Sequence, residues 1–258
     1  MKKVLAIALA IILVAMSLVG CGSQESEIAL ITDKGNIDDK SFNQGAWEGV
    51  VEFAKRENIS HTYIKPEDAT DDFYLAAIDL AVEGGAKVVV TPGFLFEVAV
   101  YQAQDKYPEV KFILLDGAPR NADWSDFKTN DNVASIMYAE EESGYLAGYA
   151  VQAFGYGYLQ GAEDAAEGLG LSNGAINVIY HYTGDFEEND TNKATASTMY
   201  QEGMEVIFAC GGSVGKSVMS AAAEANAKVI GVDVDQRYDS ETVITSATKG
   251  LAASVIQV

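Results

Sequence analysis

The sequence is poor in the residues that cross-link small domains or bind metals. Its 258 residues include only two cysteines, two histidines and four prolines. Because Cys21 lies beside the N-terminal leader described below, Cys210 is left alone in the rest of the chain and no disulfide framework can form there. The scarcity of proline and the lack of low-complexity stretches also argue against a long flexible linker.

Basic residues are equally scarce. The sequence has 17 lysines and arginines and 38 aspartates and glutamates, which gives a formal net charge of −21. A surface of this sign repels phosphate backbones, so the composition excludes nucleic acid as a partner. It is also a charge that favours solubility.

The N-terminus has the pattern of an export signal. Two lysines precede an apolar run from Val4 to Met16, which is of signal-peptide length but short for a membrane-spanning helix. The run leads into Leu18-Val19-Gly20-Cys21, which resembles the lipobox of bacterial lipoproteins, where the cysteine is acylated. We expect a signal peptide over residues 1–20 and a lipidated tether over 21–27, so that the protein is extracytoplasmic and anchored to the cell membrane by lipid on Cys21. An uncleaved anchor helix is the alternative.

From residue 28 onward, short β-branched runs alternate with helical stretches, which predicts an α/β fold with parallel sheets flanked by helices. The series repeats after Phe154, so we expect two lobes, over residues 28–154 and 155–258, with a cleft between them. Ser41 and Gln44 fit a capping box at the start of the first helix. The predicted strands are Ile28–Ile31, Thr62–Ile64, Lys87–Thr91, Lys111–Leu115, Val133–Met137, Ile176–Tyr180, Val206–Ala209, Lys228–Val232 and Val243–Thr245; the predicted helices are Phe42–Arg56, Asp72–Glu83, Phe96–Lys106, Glu140–Phe154, Tyr158–Glu167, Asn192–Glu202 and Lys216–Asn226.

Ligands of open α/β sheets bind beyond the carboxyl ends of the strands, so the residues that follow strands are the candidates for a site. The loop after the first strand delivers Phe42 and Asn43, and the loop after Tyr180 delivers Phe186. Two aromatic rings on opposing loops are suited to holding a flat ring between them. Asp116 follows the fourth strand and is placed to accept hydrogen bonds. Packing of Phe42 under its own loop, and a turn role for Asp116, remain alternatives.

Two polar segments of the second half add further candidates. Gly211 and Gly212 open a glycine-rich turn that precedes Lys216. The spacing of glycine and lysine in this turn does not match a phosphate-binding P-loop, although the backbone N–H groups of the turn suit a ligand hydroxyl. Asp233 and Lys249, each beside a strand end, suit a vicinal diol, with the acid accepting and the amine donating hydrogen bonds. A plain ion pair at the sheet edge is the alternative.

The sequence offers little for catalysis or for metals. Neither histidine lies in a nucleophile or zinc-ligand pattern, and Asp233 with Asp235 lacks the additional oxygen ligands of a calcium loop. We therefore expect no catalytic residues, no metal and no cofactor, and a binding protein instead of an enzyme.

Six segments together resemble a known family. They are Asp39-Lys40-Ser41-Phe42-Asn43, Leu115-Asp116-Gly117, Gly144-Tyr145-Leu146-Ala147-Gly148, Tyr182-Thr183-Gly184-Asp185-Phe186, Gly211-Gly212 and Gly231-Val232-Asp233-Val234-Asp235-Gln236. This set is similar to the basic membrane protein family, the nucleoside-binding lipoproteins that resemble the purine nucleoside receptor lipoprotein. The match runs in order from about Glu27 to the last residue.

The resemblance implies a type I periplasmic-binding fold whose lobes close over a nucleoside, with a purine nucleoside expected, for an ABC permease in the membrane. Carried over segment by segment, it implies that Phe42 and Phe186 sandwich the base. It also implies base contacts for Asn43 and Asp116, and ribose contacts for the remaining candidates: Asp233, Lys249, and the backbone at Gly211 or Gly212.

The chain departs from the family pattern in two places. Family members have a glycine-flanked strand just after the helix that ends here near Phe154, and they continue past the equivalent of Val258. We therefore expect a second lobe that lacks one strand and a truncated C-terminus. A sugar receptor of the same fold, a surface or signalling lipoprotein without transport, and a nucleoside hydrolase remain as other functions.

Overall fold

The computed structural model describes residues 26–139, 153–172 and 174–258. Within them the chain forms two parallel sheets flanked by helices, as the alternation of β-branched and helical segments predicts. None of the described helices combines the length and the apolar character needed to cross a membrane.

The first sheet has five parallel strands in the order β2-β1-β3-β4-β5. Their bounds lie within a residue or two of the sequence predictions, because each strand is a short β-branched or apolar run. The elements of this half are β1 Ile28–Ile31, α1 Phe42–Glu57, β2 His61–Ile64, α2 Asp71–Glu83, β3 Val88–Pro92, a single 3-10 turn Phe94–Phe96, α3 Glu97–Lys106, β4 Lys111–Leu115 and β5 Val133–Ile136.

Helices cover both faces of the first sheet, which is why its central strands are mostly apolar. On one face, Tyr74, Ile78 and Val100 from α2 and α3 pack against Ala29 and its neighbours. On the other face α1 packs against Leu30, Ile113 and Leu115, together with residues from the end of the chain. The central strands are therefore largely buried, and the candidate site lies at the carboxyl edge of the sheet.

The second sheet has three parallel strands in the order β6-β7-β8. Its described elements are α4 Ala153–Gly168, α5 Asp190–Gln201, β6 Val206–Phe208, α6 Val214–Ala225, β7 Lys228–Asp233 and β8 Val243–Thr248. Helices α5 and α6 cover one face through Ala196, Val218 and Ala222. Cys210 is half-buried and, like Phe208, packs against Val232 and Ala247.

The final helix, α7 Leu251–Gln257, was not predicted. It packs along α1, where Leu251 and Val255 join the core of the first sheet. The approach is close because Gly49 of α1 faces the backbone of Ala252, and a Cβ at residue 49 would lie 2.8 Å from its Cα and carbonyl oxygen. The end of the chain therefore fastens the second sheet to the first.

The predicted strand Ile176–Tyr180 is wrong, since the structure places no strand there. Ile176, Ile179 and Tyr180 are 43%, 53% and 75% exposed. A β-branched run becomes a strand only when another strand supplies its hydrogen bonds, and no described strand pairs with this segment. The predicted helix Glu140–Phe154 lies outside the described residues except for its last two positions.

Candidate ligand-binding cleft

The candidate residues meet where the carboxyl ends of the two sheets approach each other. Asp33 and Asp116 follow β1 and β4 of the first sheet, while Asp233 ends β7 and Lys249 follows β8 of the second. Parallel strands bring the residues that follow them to one edge, and the helix α7 brings the two edges together. The site thus joins residues of the two sheets that lie more than a hundred positions apart in the chain.

Lys249 is at the centre of this cleft. Its Nζ lies 2.9 Å from Oδ2 of Asp116 and 3.8 Å from Oδ1 of Asp233, and the three side chains are 6%, 18% and 8% exposed. The same atom lies 4.8 Å from the ring centre of Phe42 and 5.6 Å from that of Tyr138. One ammonium therefore joins acids of both sheets beside an aromatic face.

Asp233 is buried and held in an unusual backbone conformation. Its φ of 66° lies in the left-handed region, and its carboxylate accepts a hydrogen bond from the hydroxyl of Ser41, across the cleft. Burial raises the pKa of Asp233, while Lys249 and the Ser41 hydroxyl oppose that rise. A carboxylate that is strained and desolvated in this way is typical of functional sites.

The capping box predicted at the start of α1 is wrong. Ser41 makes no side-chain cap, because its hydroxyl bonds to Asp233 instead. The cap is supplied by Asp39, whose carboxylate accepts the N–H groups of Ser41, Asn43 and Gln44. This arrangement leaves the Ser41 hydroxyl available to the other sheet and fixes Phe42 in the first turn of the helix.

Asn43 lies inside the loop and is 1% exposed. Its amide donates to Oδ1 of Asp33 at 2.7 Å and to Oδ2 of Asp39 at 2.9 Å, and its oxygen accepts the N–H of Asp33 at 3.1 Å. Both amide hydrogens are therefore used within the loop. The structure gives Asn43 the role of holding Asp33 and Asp39 in place, and its predicted contact with a base stays a prediction.

Asp33 is a site candidate that the sequence analysis missed. Its Oδ1 accepts the N–H of Gly35 at 2.7 Å besides the amide of Asn43, and its Oδ2 points toward Gly93 after β3. Burial is the main cause that raises the pKa of Asp33, and the neighbouring Asp39 adds to it. Its position directly after β1 was the available signal, since the same argument had selected Asp116.

Phe186 lies on the opposing loop, over the turn at Gly211 and Gly212. Its ring lies 3.5 Å from the position of a Cβ on Gly211, and its backbone oxygen would lie 3.2 Å from a Cβ on Gly212, whose φ is 51°. These glycines allow the two loops to approach. No ring contact joins Phe42 to Phe186 in the described part of the chain, where Phe42 instead faces Lys249.

A carboxylate fixes the loop that carries Phe186. Asp185 accepts the N–H of Glu187 at 3.0 Å and the side-chain amides of Asn192 at 2.8 Å and Asn189 at 3.2 Å, and these bonds lower its pKa. The hydroxyl of Ser217 on α6 then accepts the N–H of Asn189. The ring is therefore positioned from two helices, α5 and α6.

The glycine-rich turn shows no feature of a phosphate site. Lys216, two residues into α6, donates from Nζ to the carbonyl oxygen of Asp38 at 3.1 Å, so it links the two sheets. Asp235 is exposed, forms an ion pair with Arg237 and accepts its backbone N–H. Among residues 26–139, 153–172 and 174–258 no group of His, Cys, Asp and Glu is arranged to hold a metal ion.

Comparison with known proteins agrees with this geometry. A family model described as ABC transporter substrate-binding protein PnrA-like matches residues 26–155 and 150–257. The chain belongs to the PnrA-like family of ABC transporter substrate-binding proteins. The family model thus covers nearly all of the described chain, including every cleft residue named above.

Individual relatives of this PnrA-like chain agree with the family assignment. It is 30% identical to the ABC transporter nucleoside-binding protein BmpA of Lactococcus lactis subsp. cremoris, over 98% of this chain and 83% of that protein. It is 28% identical to basic membrane protein A1 of Borrelia garinii subsp. bavariensis, over 99% of this chain and 79% of that protein. Among solved structures, an ABC transporter solute-binding protein from Aeropyrum pernix K1 matches with a TM-score of 0.79 and 25% identity, over 89% of this chain and 68% of that one. The fold is therefore that of the type I periplasmic binding proteins.

Proposed function

We propose that this PnrA-like protein binds a nucleoside, with a purine base, in the cleft between its two sheets and delivers it to an ABC permease for import. The observation that carries the proposal is the position of Lys249, which contacts Asp116, Asp233 and the ring of Phe42 at once. A cation and two acids beside an aromatic face match a ligand that has both hydroxyl groups and a flat ring.

The recognition follows from these groups. Phe42 and Phe186 stack on the two faces of the base, each contributing about 1–3 kcal/mol as in other base-stacking sites. Asp116, Asn43 and the added candidate Asp33 lie at the edge of the base, where carboxylates accept its N–H groups. In this proposal Asn43 acts largely by orienting Asp33.

The pentose is placed on the second sheet. Asp233 accepts hydrogen bonds from the vicinal hydroxyls, while Lys249 donates to a ribose oxygen. The N–H groups at Gly211 and Gly212 contact the sugar from the turn before α6. The relative from Lactococcus lactis, named as nucleoside-binding, supports this choice of ligand over a free sugar.

The proposed anchor is a lipid on Cys21, outside the cytoplasm. The signal-like residues 1–20 and the Leu18-Val19-Gly20-Cys21 sequence support it. Cells that express the protein and are fed a labelled palmitate analogue should incorporate the label, whereas Cys21→Ser should remove it. Label retained by Cys21→Ser would contradict the anchor.

The ligand is tested by a thermal-shift panel. A ligand that binds only the folded state raises the melting temperature, and at a given concentration a tighter ligand raises it further. Inosine, guanosine and adenosine should raise it, whereas arabinose and galactose should not. Asp233→Asn, which keeps the size of the side chain and an acceptor for Ser41, should reduce the nucleoside shift. A shift with the sugars alone would replace the proposal with the sugar-receptor function.

A further inference from the structure

Gln236 joins the two sheets through a single buried amide. Its side chain is 2% exposed, its Nε2 donates to the carbonyl oxygen of Lys40 at 2.7 Å, and its Oε1 accepts the N–H of Val232 at 3.0 Å. Lys40 belongs to the loop after β1, and Val232 belongs to β7. The two ends of one rigid, planar group are therefore bonded to backbone on opposite sides of the cleft.

These backbone positions adjoin the residues that close the site. Val232 precedes Asp233, and Lys40 precedes Ser41, whose hydroxyl bonds to that same carboxylate. The backbone N–H of Gln236 is itself fixed by Oγ of Ser246 at 3.1 Å. The amide thus fixes the position of the strained Asp233 relative to the loop that carries Phe42.

The local sequence makes room for this amide. A Cβ on Gly231 would lie 2.5 Å from Oε1 of Gln236, so only glycine at residue 231 allows the side chain to lie back against β7. Besides the buried Ser41–Asp233 bond, two further direct bonds join these loops among the described residues, and they are weaker candidates. Lys216 reaches the Asp38 carbonyl, and Lys40 lies 3.6 Å from Asp239, but both interactions are solvent-exposed and exposed pairs contribute little.

We propose that Gln236 is a positioning residue that couples closure of the two lobes to the geometry of Asp233 at the nucleoside site. The lobes are here the elements packed on the first sheet and on the second. The inference rests on the proposed nucleoside function for its binding readout, although the coupling itself is measured without ligand. Loss of the Nε2 donor releases the loop of Lys40 and Ser41 from β7, which opens the cleft and frees Asp233.

The test uses Gln236→Glu. The introduced carboxylate keeps an acceptor for Val232 but has no hydrogen for the Lys40 carbonyl, and its negative charge faces that oxygen. At low pH the carboxyl group gains a proton and can donate again, and burial raises its pKa, which favours this protonated form. If residue 236 merely filled space, lowering the pH would not restore the wild-type arrangement of the lobes in Gln236→Glu.

Lobe opening is measured by the distance between spin labels on Asp72→Cys in α2 and Glu202→Cys at the end of α5, in a chain that carries Cys21→Ser and Cys210→Ser. We expect Gln236→Glu to lengthen this distance at pH 8 and to restore the wild-type distance at pH 5. The label pair Glu202→Cys and Tyr238→Cys, within the second lobe, should not change. Lys216→Met is the matched control for loss of an exposed bond between the lobes, and it should leave both distances unchanged.

The ligand arm measures inosine dissociation in the same variants. Gln236→Glu should release inosine at least about tenfold faster at pH 8, which corresponds to 1.4 kcal/mol or more. An unchanged distance at pH 8, or a change within the second lobe as well, would overturn the coupling role. If the wild-type chain binds no nucleoside while the distances behave as expected, the proposed function fails and the coupling between lobes stands.

Discussion

Lys249 and Asp116 form an ion pair across the cleft, with 2.9 Å between Nζ and Oδ2. Lys249 follows the last strand of the second sheet, and Asp116 follows the fourth strand of the first. Since Asp233 lies 3.8 Å from the same ammonium, one cation balances two carboxylates of a strongly acidic chain. The stability of the closed arrangement and the binding of ligand therefore depend on the same side chain.

Lys249→Met should be strongly destabilising. It leaves Asp116 and Asp233 near each other in a desolvated site without a cation, and breaking a buried pair from one side costs about 3 kcal/mol. Urea unfolding would measure the change. Lys87→Met is the matched control, because the pair of Lys87 with Glu27 is largely exposed, and its loss should cost less than about 1 kcal/mol. Equal effects of the two substitutions would contradict the burial argument.

Phe42→Ala should weaken nucleoside binding by about 1–3 kcal/mol, or roughly 5- to 150-fold, because one face of the base loses its stacking partner. The matched control is Phe53→Ala, a half-buried phenylalanine on the same helix α1 about 16 Å further along its axis. Phe53→Ala should lower stability and leave affinity unchanged. Calorimetric titration separates the two effects, and an affinity loss in both variants would count against the stacking role.

Gly49→Ala should destabilise the chain by about 1–3 kcal/mol. Its new methyl group would lie 2.8 Å from backbone atoms of Ala252, so α1 and α7 must separate. Gly168→Ala at the end of α4 has no atom within 4 Å of its added methyl group and should be close to neutral. Thermal unfolding of both variants provides the comparison. A neutral Gly49→Ala would show that α7 does not pack closely on α1 in solution.

The contribution of Asp33 to the stability of the wild-type chain should fall as pH rises above about 4. Burial raises its folded pKa above the ordinary value of 3.8, so the folded state holds this proton more tightly than the unfolded state. The free-energy cost of ionising the buried Asp33 is absent below the pKa of the unfolded state. It is fully present above the pKa of the folded state. Asp33→Asn removes the titration and keeps an acceptor for Gly35.

The difference in melting temperature between wild type and Asp33→Asn measures this linkage. The wild type should gain stability relative to the variant as pH is lowered from 7 toward 4. Groups that do not interact with residue 33 contribute equally to both proteins and cancel in the difference. A difference that stays constant over this range would show that Asp33 is not desolvated.

Most of the fold could be predicted because buried parallel strands have a strong sequence signal. β1 and β4 have the predicted bounds, since each is a run of apolar residues closed by polar ones. The segment Ile176–Tyr180 is also rich in β-branched and apolar residues but is not a strand, because pairing depends on a partner that composition does not specify. Helix α7 was missed because its seven residues are too few to show a clear period.

The candidate site was predicted only in part. Asp116, Asp233 and Lys249 could be found from their places after strands, and the structure brings them together. The roles of Ser41 and Gln236 could not, since each bonds to a residue that only the packing of the two sheets brings near. Local patterns described Ser41 as a helix cap, whereas a contact 192 positions away uses its hydroxyl.

The most direct test of this account is a calorimetric titration of the chain with inosine, and with hypoxanthine and ribose separately. Recognition of base and pentose by different lobes predicts one inosine site, with each fragment binding at least about tenfold more weakly. Inosine, guanosine and adenosine that all give no heat, alongside a hexose that does, would contradict the claim that this cleft holds a nucleoside.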